Sequence, residues 1–111
     1  MNNARITLKK GVRLGALQPQ VVLGLVVAAG CYGLRDMEEM VVTSCNDSKH
    51  GRGSLHYSGN AVDLRTNTAA RIYVEGLHSD IVLALGVDFD VILEDYGTPN
   101  EHIHMEYQPK D

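Results

Sequence analysis

The apolar run from Val21 to Leu34 constrains this chain more than any other feature. A membrane-spanning helix needs about 20 predominantly apolar residues. This run is shorter, and Gly24, Gly30 and Gly33 interrupt it. It therefore reads as a buried helix inside a globular domain. Leu17-Gln18-Pro19 marks its start, because proline is tolerated at the first helical position. The helix is predicted from about Pro19 to Tyr32, with Gly33 as its stop. The 111 residues suit one domain and one core around that helix. With no Trp and a single Phe, the core must rest on Val, Leu, Ile and Ala.

The remaining segments predict the partners of that helix. Residues 1–17 are expected to form a loosely packed arm. Met40 to Ser44 reads as a short buried strand. A long polar loop, Cys45 to Gly53, follows, and loops of that kind often carry function. Ala61 to Leu64 reads as a second strand. Thr66-Asn67-Thr68 offers a helix cap, and Ala69 to Leu85 places Ile72, Leu77, Ile81 and Leu85 near helical spacing before Gly86 ends the segment. Val91 to Leu93 and His102 to Tyr107 complete the strands. This order predicts an α+β domain, a small antiparallel sheet with flanking helices.

Charge narrows the function. The net charge is −4, and no basic run extends past Lys9-Lys10, so a nucleic-acid partner is not expected. Membrane insertion is not expected either, and nothing in the pattern calls for more than a monomer. Met1 to Gly11 is polar and basic and lacks the apolar core of a signal peptide. The expectation is a protein made in the cytoplasm without a signal peptide. Cys31 and Cys45 match no paired-cysteine zinc spacing and read as buried thiols.

Two clusters carry chemistry. The first runs Ser54-Leu55-His56-Tyr57-Ser58-Gly59-Asn60-Ala61-Val62-Asp63, and the second is Glu101-His102-Ile103-His104. A catalytic zinc site takes three protein ligands and leaves one open position. Imidazole nitrogens and a carboxylate oxygen supply the ligands, and a carboxylate that is not a ligand moves the proton. The two clusters contain that inventory. Gly59 allows a tight turn that brings Asp63 back toward His56. His102 and His104, two apart, share a strand face. Glu101 points the other way on a regular strand, so its use at the metal requires a bend at Pro99-Asn100. No His-Glu-x-x-His helix is present, which excludes the common helical zinc peptidase scheme.

Ser-x-His-x-x-x-Gly-x-Ala-x-Asp, here Ser54, His56, Gly59 (one residue earlier than in some spacing variants), Ala61 and Asp63, with Glu-x-x-His downstream at Glu101 and His104, resembles peptidase family M15. That family comprises the D-Ala-D-Ala carboxypeptidases and L-alanyl-D-glutamate endopeptidases. The likeness covers Val42 to Arg65 and Val91 to Pro109, and is nearest to short phage-type members. It implies the fold shared by these peptidases and the hedgehog signalling domain. It implies Zn2+ on His56, Asp63 and His104, with Glu101 as general base. It also implies hydrolysis of peptidoglycan stem peptides, as by a phage endolysin reaching the cell wall after release. The chain departs from the family at one point. Many members carry an Arg upstream of the first ligand, whereas Thr43 to His50 contains none. His50 is then the preferred oxyanion donor, with Lys49 and Arg52 as alternatives.

Each of these residues has a plainer reading. His56 with Asp63 could be a surface hydrogen-bonded pair, and His104 a structural strand residue. His102 is expected to orient a ligand from outside the metal's own shell or to face solvent, and ranks behind His104 as a ligand. Ser54 is expected to bind substrate or support the zinc site. Tyr57 reads equally as a substrate contact or a packed aromatic. Arg65 reads as a structural ion pair or a contact for a wall-peptide carboxylate. His78 is expected to be solvated or packed, and Glu94, Asp95 and Glu106 to form a solvated face. The rival to an enzyme is a hedgehog-like binding module stabilised by zinc and without catalysis.

Overall fold

The structure is a computed structural model and describes residues 2–15, 17–45 and 59–110. It contains strands β1 (Arg5–Leu8), β2 (Glu39–Cys45), β3 (Ala61–Arg65), β4 (Phe89–Glu94) and β5 (His102–Tyr107), and helices α1 (Pro19–Leu34) and α2 (Val74–Leu85). The strands form one sheet in the order β1-β2-β3-β5-β4. The fold is α+β. No helix among the described residues is long and apolar enough to cross a membrane.

The first helix begins at Pro19, as its sequence predicts, and ends at Leu34. It buries one stripe, Val21, Gly24, Leu25, Ala28, Ala29 and Tyr32, at helical spacing. Cys31 is buried beside that stripe, whereas Val22, Val26 and Leu23 are exposed, the last at 67%. Two glycines allow close approach. A Cβ on Gly33 would fall 2.1 Å from the Asn2 carbonyl oxygen, so the N-terminal segment crosses the helix only because no side chain is there. A Cβ on Gly24 would press on Phe89 and Met105 at 3.1 and 3.2 Å.

The arm expected to pack loosely instead supplies an edge strand. The Ala4 N–H donates to the Ala29 carbonyl at 2.9 Å, and β1 pairs in parallel with β2 from Arg5–Glu39 to Leu8–Val42. The sheet is therefore mixed rather than wholly antiparallel. Parallel neighbours need a long crossover, here α1, and local sequence gives no sign of such a distant pairing. The second helix also starts later than its pattern suggests. Thr66 does not cap it; a 3-10 turn over Arg71–Tyr73 leads in, and no side chain caps Val74. Ile72, expected on the apolar face, is 85% exposed, whereas Leu77 and Ile81 are fully buried. Gly86, at φ +79°, closes the helix.

The core lies between the helices and one sheet face. Val42, Val62, Leu64, Ile103 and Met105 join Val21, Leu25, Tyr32, Leu77 and Ile81 in one apolar cluster. Residues alternate across a strand, so Asp63, His102 and His104 fall on the opposite face. His78 is a packed residue, with Nε2 2.8 Å from the Val91 carbonyl oxygen.

Candidate metal centre

Antiparallel pairing sets Asp63 directly against His104, and Arg65 against His102. On the other flank of β5, Glu94 pairs with His102. Chain segments far apart in sequence thus deliver imidazoles and carboxylates to one patch. The Asp63 and His104 pairing is continuous with the apolar alternation beneath it. Shifting the register by one residue would turn the core residues outward.

The centre of the patch is a carboxylate–imidazole–carboxylate row. His104 Nδ1 lies 2.8 Å from Asp63 Oδ1, and its Nε2 lies 2.8 Å from Glu106 Oε1. Each partner side chain is a fifth exposed or less. The bond to Asp63, against the opposing effect of burial and with added help from Glu106, pushes the His104 pKa up to about 9. With a carboxylate at each nitrogen, the metal-free ring carries both protons. A cation bound at Asp63 and His104 would replace one of them.

His102 stands beside this row. Its Nδ1 is 2.8 Å from the Asn100 carbonyl oxygen, which can only accept, so that nitrogen carries the hydrogen. Its Nε2 lies 3.0 Å from Glu94 Oε1 and 4.0 Å from Asp63 Oδ2. Burial alone would lower the His102 pKa, but the Asn100 bond and the charges of Asp63 and Glu94 outweigh it, and the net shift is upward. One donor atom each from Asp63, Glu94 and His102 lie within 4.8 Å of one another, a group able to hold a metal ion.

Glu101 follows the turn expected at Pro99–Asn100 and immediately precedes β5. It is only 1% exposed. The Thr66 hydroxyl donates to Oε1, Arg71 donates to both oxygens at 2.7 and 3.2 Å, and the Gly97 N–H donates to Oε2 at 2.9 Å. Burial raises its pKa, but these donors and the Arg71 charge hold the carboxyl below the usual range. None of its bonds goes to Asp63 or His104. A cavity of about 140 Å³ lies alongside, bordered by Lys9, Thr43, Arg65, Asn100, Glu101 and His102. Arg65 makes no ion pair among the described residues. A larger cavity, about 520 Å³, lies near the end of α1 against Asn2, Arg5, Asp36 and Glu38, and no histidine among the described residues lines it.

Of the residues singled out from sequence, Asp63, His104 and His102 meet on one face, with Glu101 at the start of the same strand. His50, Ser54, His56 and Tyr57, together with Lys49 and Arg52, lie outside the described residues. Glu94 and Glu106 read as solvated acids in the sequence, yet each touches a histidine of the patch. Glu106 had a signal, since two residues beyond His104 on a strand is the same face. Glu94 had none, because its place depends on the β4–β5 register. Arg71 and Thr66, the partners of Glu101, come from a segment that reads locally as helix and cap. No protein-family model matches the chain, and no curated protein matches it.

Proposed function

We propose that this chain is a zinc-dependent peptidase acting on peptidoglycan stem peptides, of the D-Ala-D-Ala carboxypeptidase or L-alanyl-D-glutamate endopeptidase type. The observation that carries the reading is the Asp63–His104 pair. An oxygen and a ring nitrogen from residues 41 apart converge at 2.8 Å on adjacent strands. They are two of the three ligands that the M15 resemblance implies. The donor set fits zinc: one carboxylate oxygen and one imidazole nitrogen, with His56 as the third ligand.

The chain's own residues divide the work. Asp63 and His104 would hold the ion. Glu106 accepts the His104 Nε2–H, so Nδ1, once it has given up its proton, would be the nitrogen that holds an ion together with Asp63. When bound, zinc supplies Lewis acidity toward a peptide carbonyl and an activated water. Glu101 takes the proton of the attacking water and returns it to the departing amine, which requires it to release one of its present donors. Arg65, at the cavity edge, is the contact for a wall-peptide carboxylate, and His50, Ser54 and Tyr57 are the candidate substrate contacts from the neighbouring segment.

Digestion of purified peptidoglycan with and without a chelator, followed by mass analysis of the fragments, tests this reading. The expected result is stem-peptide cleavage that the chelator abolishes and zinc restores. Absence of any metal-dependent cleavage refutes it. Zinc-dependent folding without cleavage would support the hedgehog-like binding module instead.

A further inference from the structure

We propose that Asp63 bridges two metal positions, the second formed by Asp63 Oδ2, Glu94 and His102. This inference rests on the reading of Asp63 and His104 as zinc ligands and goes beyond that single site. The argument is the likeness of two half-sites on one patch. In each, an imidazole directs one nitrogen at an oxygen of Asp63 and engages the other elsewhere. His104 offers Nδ1 to Oδ1 and bonds Glu106 through Nε2. His102 faces Oδ2 with Nε2 and donates its Nδ1–H to the Asn100 carbonyl. That outer bond is how proteins fix the tautomer and orientation of a metal-binding imidazole, and Asn100 is not itself one of the three ligands.

The separations suit a small ion. Four donors at zinc's bond lengths stand roughly 3.4 Å apart in a tetrahedron. His102 Nε2 is 3.0 Å from Glu94 Oε1 and 4.0 Å from Asp63 Oδ2, values on either side of that separation. An imidazole with two carboxylates suits zinc and neighbouring divalent transition ions better than calcium or magnesium, which take oxygen ligands. Paired metals with a shared carboxylate place two positive charges beside one reacting group. Asp63, Glu94 and Glu106 supply the compensating negative charge.

Metal-stripped full-length protein is loaded with zinc, freed of excess ion, and its metal content counted by native mass spectrometry, with circular dichroism to check folding. Two zinc ions per wild-type chain are expected, falling to one in His102→Ala and to one in His104→Ala. Should His102→Ala fail to fold, Glu94→Gln decides, because its side chain is 45% exposed and the replacement is isosteric; one ion is again expected. A wild-type count of one that survives His102→Ala overturns the second position and leaves the peptidase reading standing. A single ion lost in His102→Ala but kept in His104→Ala overturns the bridge and also removes His104 from the proposed catalytic site. Two ions that persist in His102→Ala, or in Glu94→Gln where that variant decides, place the second ion elsewhere and refute the inference.

Discussion

The two faces of the sheet are made by the same strands and do opposite things. Under α1 and α2, Val62, Leu64, Ile103 and Met105 are fully buried. Their immediate neighbours Asp63, His102, His104 and Glu106 keep 14–20% of their side chains exposed; His104 bonds to Asp63 and Glu106, and His102 to Glu94. One face is held by apolar burial, which tolerates no charge, and the other carries a charge network. The difference teaches that stability and the proposed chemistry are separable here at single-residue resolution. Adjacent substitutions on β5 should report different properties.

The largest effect is expected on the polar face. His104→Ala removes a proposed zinc ligand, and peptidoglycan hydrolysis should fall by on the order of a thousandfold or more. The melting temperature of the metal-free protein should fall less than in the core variant that follows. Hydrolysis within tenfold of wild type would remove His104 from the centre.

One residue earlier, Ile103→Ala should do the reverse. Deleting a fully buried side chain of this kind costs about 2–5 kcal/mol, and each kcal/mol lowers the melting temperature by about 4–8 °C in a domain near this size. Thermal melts followed by circular dichroism measure the loss, and the fraction still folded should bind zinc as wild type does. If Ile103→Ala and His104→Ala lowered the melting temperature equally, the separation of the faces would be broken.

Glu101 sharpens the comparison because it belongs to neither face cleanly. It is buried like the core but charged like the site, and Thr66, Arg71 and Gly97 hold it. Glu101→Gln should therefore affect both properties. Zinc should stay bound and turnover should nearly vanish, as for a lost general base. The melting temperature should also fall, since Gln places an N–H among donors and forfeits the charge; an unsatisfied buried polar group costs about 1–3 kcal/mol. A lower melting temperature with wild-type turnover would leave Glu101 as a structural anion only.

This division also explains what could be read from the sequence. The helix from Pro19, strands near 40–44, 61–64 and 102–107, and the shared face of His102 and His104 all follow from local period and punctuation. Edge strand β1, the pairing of Glu94 with His102 and the Arg71–Glu101 ion pair do not, because each depends on a register or crossover set by distant residues. The apolar run at 21–34 was legible as a helix but not in its burial. Which side of a uniformly apolar helix is covered depends on where α2 and the sheet lie, and its own sequence does not mark it. The acids Glu94 and Glu106 show the same limit from the other direction, since a charge reads as solvated until its neighbour is known.

The smallest effect concerns a bond that ties the two faces together. Tyr32, fully buried on α1, donates its hydroxyl hydrogen to the Arg65 carbonyl at 2.8 Å. Arg65 is the last residue of β3, two beyond Asp63. Burial, and then the negative charge of Glu101, raise the phenol pKa, so the hydroxyl stays a donor through the neutral range. Tyr32→Phe keeps the ring and its packing and deletes only that bond, at a cost of about 1 kcal/mol. A melting-temperature loss of a few degrees is expected, with zinc affinity unchanged by titration. The packing that seats α1 is retained, and Asp63 is also fixed by its place between β2 and β5. A tenfold loss of zinc affinity in Tyr32→Phe would instead mean that the helix holds the metal ligand in position through the end of its strand, and that the two faces are coupled at this one point.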